Sequence, residues 1–374
     1  MTGPTPRRPE PADAATGAGR EATGHTAATV ALGSAAILAG VALQVRADAR
    51  RAEREHPPLG RFVRAGGGVR LHYVEAGADD EPPVVLLHGN AVMAQDFLGS
   101  GVLDRLAGRR RVVAFDRPGY GHSGRPRDRR WTAEAQAAVL AEAFARLGIE
   151  RPVVVGHSWG TLVALALALD HPEAVSGLVL LSGYYFPTAR ADVALFAPPA
   201  LPVVGGALRY TVGPLAGRLL APKVVRTMFA PAPVPPAFDA WVPRAMMLRP
   251  WQIKAGAEDA AFMVPGAARL ARRYGDLRHL PVSIVVGAED RIVDAARQSA
   301  RLHRALPGSD LRVAPGLGHM VHHGAPALVA DAVEAVAAAA AWEARERLID
   351  EEGEQSFPAS DPPSHTPITG ARLA

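Results

Sequence analysis

One pentapeptide constrains this chain more than any other feature: Gly156-His157-Ser158-Trp159-Gly160. An apolar run, Pro152-Val153-Val154-Val155, precedes it, and a helix-forming run from Thr161 to Asp170 follows. A strand that turns into a helix over so short a distance forces its central residue into a strained backbone conformation and lifts the side chain into the open. Glycine on either side fits the same turn, because a Cβ there would crowd the strand against the helix. Ser158 is thereby marked as a nucleophile.

A serine hydroxyl attacks poorly until a base takes its proton, so an acid and a histidine should follow in that order. Val282–Gly287 reads as a buried strand, with Asp290 in the turn that leaves it. Leu311–Ala314 is a short strand running into Pro315-Gly316-Leu317-Gly318-His319. In a parallel sheet, side chains that do chemistry sit at the C-terminal strand ends, where Ser158, Asp290 and His319 all fall. Glu289 and Asp294 compete with Asp290. His322 and His323 compete with His319, and their place beside the next helix start reads as surface. His157 reads as a packed, hydrogen-bonded residue rather than a base.

Val84–Leu87 is another buried strand, ending in His88-Gly89-Asn90. The backbone N–H groups of Asn90 and Trp159 are the expected oxyanion hole. His88 reads as a structural residue that pins its loop.

Together these residues resemble the α/β-hydrolase fold family, over about Arg61 to Arg345. Phe115-Asp116-Arg117-Pro118-Gly119-Tyr120-Gly121-His122-Ser123 is similar to that family's loop after the next core strand, with Asp116 and Arg117 expected as an internal ion pair. The resemblance implies a mostly parallel sheet with helices on both faces and a helical cap inserted over the site. Asn90 with a Trp directly after the nucleophile is similar, more narrowly, to haloalkane dehalogenases, where Asn and Trp side chains hold the departing halide. Those enzymes, like the related epoxide hydrolases, carry an aspartate nucleophile, whereas this chain has Ser158. An aspartate on an alkyl carbon gives an ester that water can cleave; a serine would give an ether that water does not readily cleave. Serine suits attack on a carbonyl. The expectation is therefore a carboxylic ester hydrolase, with a C–C bond hydrolase on the same triad or a non-catalytic ligand receptor of the same fold as alternatives.

About a hundred residues separate the strand Leu178–Gly183 from the strand at Val282, far more than a crossover needs. This stretch is read as the cap, residues 186–275, between core segments 61–185 and 276–347. Between Tyr184 and Tyr274 lie 11 of the chain's 21 aromatic residues, so an apolar acyl or alkyl substrate fits better than a sugar or nucleotide. Tyr184, Tyr185, Phe186 and Trp241 are the expected pocket walls. A buried cation among Arg244, Arg249, Lys254, Arg272 and Arg273 would receive a substrate carboxylate, as a C–C hydrolase requires.

Composition excludes several other classes. With no cysteine there are no disulfides, thiol nucleophiles or Cys-bound metals. The formal charge is only +4, and the clusters Arg109–Arg111 and Arg125–Arg130 lack interleaved aromatics, so no nucleic-acid partner is expected. His319-Met320-Val321-His322-His323 has a zinc-type His-x-x-x-His spacing but no glutamate after its first histidine, so neither metal nor cofactor is expected.

The ends are different material. Residues 1–25 and 348–374 read as disordered tails. Thr26 to Val45 carries no charge, and twenty helical residues span roughly 30 Å, the hydrocarbon thickness of a bilayer. A transmembrane anchor is the favoured reading, with a secretory signal or a soluble Ala-rich helix as the others. Arginines denser after the segment than before it favour a cytoplasmic catalytic domain. Residues 46–60 read as a linker.

Overall fold

The computed structural model describes residues 3, 18–78, 81–189 and 197–356. Eight strands, β1 (Arg61–Ala65), β2 (Val69–Ala76), β3 (Val84–Leu87), β4 (Val112–Phe115), β5 (Val153–His157), β6 (Gly177–Leu181), β7 (Val282–Gly287) and β8 (Asp310–Ala314), form one sheet in the order β1-β2-β4-β3-β5-β6-β7-β8. All pairings from β4 through β8 are parallel, and β2 is antiparallel to both β1 and β4. Every residue of β3 to β7 is buried. That explains their near-continuous Val and Leu: a parallel strand covered on both faces has no wet side to mark with polar residues.

Helices α1 (Ala18–Glu55), α2 (Gln95–Gly99), α3 (Val102–Ala107), α4 (Ala133–Leu147) and α5 (Gly160–Asp170) come first in the chain. α6 (Val204–Tyr210), α7 (Val212–Phe229), α8 (Pro236–Trp241), α9 (Arg244–Met247) and α10 (Pro250–Leu270) lie between β6 and β7. α11 (Ser299–Ala305), α12 (Val321–Gly324) and α13 (Pro326–Ser356) follow. One core cluster packs α4, α5 and α11 on the sheet through Leu140, Phe144, Leu162, Leu165 and Leu302. Another packs α2, α3 and α13 on the opposite face through Phe97, Leu103, Val329 and Val333. α5 is buried from Gly160 to Leu169, so it is apolar all round rather than striped.

The termini depart from expectation. Residues 46–60 are not an open linker: α1 runs unbroken to Glu55. Its Ala49 and Ala52 are buried, Asp48 pairs with Arg218 of α7, and Glu53 pairs with the buried Arg249 at 2.7 Å. Small alanines on one face let the helix approach the insertion closely, and Gln44–Asp48 and Arg51–Glu55 support it along its length. Leu32–Glu55 is long and apolar enough to cross a membrane by length and composition. α1 also starts at Ala18, inside the segment read as an N-terminal tail; residues 1–2 and 4–17 lie outside the described residues. At the other end α13 continues to Ser356, nine residues past its expected end at 347, and residues 357–374 lie outside the described residues.

Candidate active site

The turn between β5 and α5 has the shape the pentapeptide demands. Ser158 sits at φ +52°, the left-handed region that costs a residue with a Cβ on the order of 1–3 kcal/mol. The turn is held by Ser158 N–H donating to Leu181 O (2.9 Å) and Thr161 Oγ1 donating to Ser158 O (2.6 Å). A Cβ on Gly160 would collide with the carbonyl of Leu87, and one on Gly156 with the backbone of Gly160 and Thr161. The elbow fits only because β3, β5 and α5 meet where there are no side chains.

Asp290 and His319 arrive from the ends of β7 and β8. His319 Nε2 lies 2.8 Å from Ser158 Oγ, and His319 Nδ1 lies 2.8 Å from Asp290 Oδ2. The other Asp290 oxygen accepts the N–H groups of Ile292 (2.8 Å) and Val293 (2.9 Å), so the carboxylate is fixed from both sides. Since Nδ1–H donates to Asp290, Nε2 is left with a lone pair toward the serine, the tautomer a general base needs. Glu289 and Asp294 are exposed instead, and Asp294 accepts the N–H of Arg297.

Behind His319 lies a bed of buried imidazoles, of which the sequence reading anticipated His157 but not His322 and His323. His322 and His323 are not surface residues. Their Nε2 atoms reach the two oxygens of Asp96, at 2.9 and 2.8 Å, and their side chains are at most 1% exposed. His157 Nε2–H donates to the His319 carbonyl at 3.2 Å, and its ring packs on His319 and His322. Burial opposes the charge on Asp96, but the two facing imidazoles hold its carboxyl well below the usual range. Burial also pushes His157 and His322 below the ordinary histidine value, so both are neutral at neutral pH. Asp96, His322 and His323 offer three donor atoms within 4.8 Å of one another, a set that could hold a metal ion; here both imidazoles hydrogen-bond the carboxylate.

The loop after β3 is pinned as expected, by His88. Its Nδ1–H donates to Gly89 O (2.7 Å) and its Nε2 accepts the N–H of Arg117 (2.9 Å). One ring nitrogen gives and the other accepts, so the ring works only when neutral, and burial with the nearby Arg117 charge lowers its pKa to about 4. Arg117 does not pair with Asp116. Asp116 takes His72 (2.7 Å), whereas Arg117 pairs at 2.7 Å with Asp259 of α10. Arg117 also donates to the carbonyls of His88 (2.8 Å) and Gly89 (3.0 Å). Asp259 is fully buried and takes Tyr120, Gln136 and Arg125 as well. The spacing Gln252, Ala255, Asp259, three and four residues apart, puts it on the buried stripe of α10 and is the sequence signal that marks it.

Among the described residues no acceptor pairs with the backbone N–H of Asn90 or of Trp159. Their side chains are engaged with α10: Asn90 Nδ2 donates to Gly256 O (3.0 Å) and Trp159 Nε1 to Asp259 O (2.8 Å). The two side chains that hold a halide in the dehalogenase comparison are thus spent on backbone carbonyls here.

Of the expected pocket walls, Tyr184, Tyr185 and Phe186 are buried. Tyr184 Oη bonds Thr188, and Gln298 accepts the N–H groups of Tyr185 (2.7 Å) and Phe186 (2.8 Å). Trp241 is 42% exposed and packs against Gly99 of α2. The five cations singled out as candidates are committed or outward. Arg244 pairs with Asp239, Lys254 with Glu258, Arg273 with Asp170 and Arg249 with Glu53, and Arg272 is exposed.

The sheet order, the elbow and the three strand-end residues define a class, and sequence comparison agrees. Residues 82–326 match the family model described as alpha/beta hydrolase fold. The chain belongs to the α/β-hydrolase family. It is 33% identical over 174 residues to a haloalkane dehalogenase of Mycobacterium marinum, a match covering 46% of this chain and 54% of that protein, so it spans about half that relative's length. It is 30% identical over 280 residues to the 2-hydroxymuconate semialdehyde hydrolase of Pseudomonas putida, covering 72% of this chain and 90% of that protein. Among solved structures, an alpha/beta hydrolase fold protein from Burkholderia ambifaria superposes with a TM-score of 0.60 at 25% identity, over 74% of this chain and 97% of that one.

Proposed function

We propose that the chain is a serine hydrolase of mostly apolar carboxylic esters, held at a membrane by α1. His319 takes the Ser158 proton, and Ser158 attacks the ester carbonyl. The amides of Asn90 and Trp159 receive the oxyanion, and Asp290 keeps the imidazole in its tautomer. His319 then protonates the departing alcohol and activates water to cleave the acyl-enzyme, without a cofactor. The observation that carries this reading is the Ser158–His319–Asp290 chain, with 2.8 Å at each step and the serine at positive φ.

The Pseudomonas relative favours a second reading, hydrolysis of a C–C bond beside a carbonyl on the same triad. That reaction needs a cation for the substrate carboxylate, and the pairing of Arg244, Arg249, Lys254 and Arg273 with carboxylates of this chain weighs toward the ester. Membrane attachment is supported by the uncharged run Thr26–Val45 and the exposed Leu32, Ile37, Leu38 and Leu43. The charged turns 46–55 stay outside the hydrocarbon and carry the docking on the protein.

The test is labelling with a fluorophosphonate, read by intact mass and peptide mapping, with Ser158→Ala in parallel. One adduct on Ser158, absent from the variant, is expected. Folded protein with no adduct would refute the activated serine and leave a receptor role. Turnover of p-nitrophenyl esters against 2-hydroxymuconate semialdehyde separates the two hydrolytic readings.

A further inference from the structure

The insertion turns an unusual surface outward next to α1. Val203, Val212, Leu215, Leu219, Leu220 and Val224 are all exposed, Val203 at 90% and Leu219 at 82%. On α7 the spacing 212, 215, 219 is one helical stripe, and 220 with 224 widens it. Soluble surfaces scatter such residues singly; a contiguous group marks a place where something apolar is met. Charge follows the same boundary. Residues 197 to 238 contain no Asp or Glu, and their only charged residues are Arg209, Arg218, Lys223 and Arg226.

The position of this face identifies what it meets. α6 and α7 lie against α1 just where its uncharged run ends: Arg46 stacks on Tyr210, and Arg218 pairs with Asp48. A cavity of about 340 Å³ in the crotch between them is lined by Val41 and Val45 of α1 and by Leu215 and Leu248. A bilayer crossed by residues 26–45 would have its headgroup layer at this level. Exposed aliphatics with the exposed Lys223 and Arg226 beside them, outside the Arg218–Asp48 pair, suit acyl chains beneath anionic headgroups. At its other end α7 reaches the catalytic turn, where Met320 N–H donates to Met228 O at 3.3 Å. One helix of 18 residues, roughly 27 Å long, thus joins this face to the turn that carries His319.

We propose that the α6–α7 face of the insertion lies in the surface of an anionic bilayer, so that the enzyme takes an ester dissolved in that bilayer rather than one free in water. This rests on the reading of α1 as a membrane anchor and of Ser158 as the nucleophile.

The chain has no cysteine, which makes single-cysteine labelling direct. Leu219→Cys, Leu38→Cys on α1 and Val313→Cys on β8 would each carry an environment-sensitive fluorophore, in vesicles of phosphatidylglycerol and phosphatidylcholine with brominated acyl chains. Quenching of the Leu38 and Leu219 labels, with the Val313 label unchanged, is expected. A quenched Leu38 label with an unquenched Leu219 label would overturn the cap contact and leave the anchor standing. An unquenched Leu38 label would remove the anchor and the proposal with it. Self-quenching of the Leu219 label that rises with protein density in unbrominated vesicles, without bromine quenching, would assign the face to a second copy and also overturn the proposal. In a second readout, the double variant Leu215→Gln/Leu219→Gln should lose about tenfold in hydrolysis of a vesicle-borne ester. A short water-soluble ester should be cleaved as before; equal loss on both substrates would point to damage of the fold and count against the proposal.

Discussion

Replacing Asp259 with Asn tests how α10 is joined to the core. Among the described residues its carboxylate is the one counter-charge paired with Arg117, and neither residue has exposed side-chain surface. Removing one partner of such a pair typically costs about 3–5 kcal/mol, because the remaining charge stays out of water. The geometry narrows that range. Arg117 would keep three neutral acceptors, His88 O, Gly89 O and Gln136 Oε1, at 2.8–3.0 Å, and Asn preserves the volume. The expected loss is therefore about 3 kcal/mol, the lower end of the range, which for a domain of this size lowers Tm by about 4–5 °C. The assay is thermal unfolding of the full chain in detergent, followed by circular dichroism. Glu258→Gln is the control, since Glu258 is part-exposed in its pairs with Arg125 and Lys254, and its loss should stay below about 1 kcal/mol. Replacing both buried partners, Arg117→Met with Asp259→Leu, should recover part of the loss by removing the stranded charge. An Asp259→Asn variant that melts within about 1 °C of the parent, or no lower than the control, would refute the reasoning.

Two further outcomes follow from the histidines. His88 is held neutral in the fold, with its pKa lowered to about 4, while in the unfolded chain it takes a proton near pH 6.5. The unfolded state therefore binds more protons between these values, and the stability His88 contributes should fall by about 3 kcal/mol as pH drops from about 6.5 to 4, on top of what the buried His157 and His322 add. Urea midpoints across that window check it, and His88→Gln should flatten the slope. Asp96→Ala strips the shared acceptor from His322 and His323. It should lower kcat on a soluble ester by about tenfold with KM little changed, because the packing under the His319 turn is loosened while the serine stays in place; unchanged kcat in folded protein would show that this bed does not position His319.

What could be read in the residues was local. Gly156 to Gly160 carries its own turn, Asp290 follows a strand that its Val and Ile content marks, and His319 follows the short run Leu311–Ala314 and a glycine turn. Hydrophobic runs and glycines thus located three strand ends, and a parallel sheet brings such ends together whatever lies between them. Partner identity was not local. Arg117 stands next to Asp116 in the chain, yet its carboxylate comes from Asp259, 142 positions away. His322 and His323 looked like loop residues because nothing near them announces Asp96, 226 and 227 positions back. Residues 46–55 read as a linker on charge alone; only the shape of the insertion shows that Ala49, Ala52 and Glu53 have a surface to meet. Amphipathic spacing on α10 did hold the signal for Asp259, but a single acid on an apolar stripe names no partner.

The attachment of α10 also divides the insertion by how freely it can change. Asn90, Trp159, Arg117, Tyr120 and Gln136 all reach into this helix, so an altered residue at 256 or 259 is felt at the loop that carries Asn90. α6 and α7 carry fewer such obligations toward the core. Divergence in substrate preference, whether by natural drift or by laboratory selection, has its room there, while α10 descends with the sheet beneath it as if it were one more layer of the scaffold.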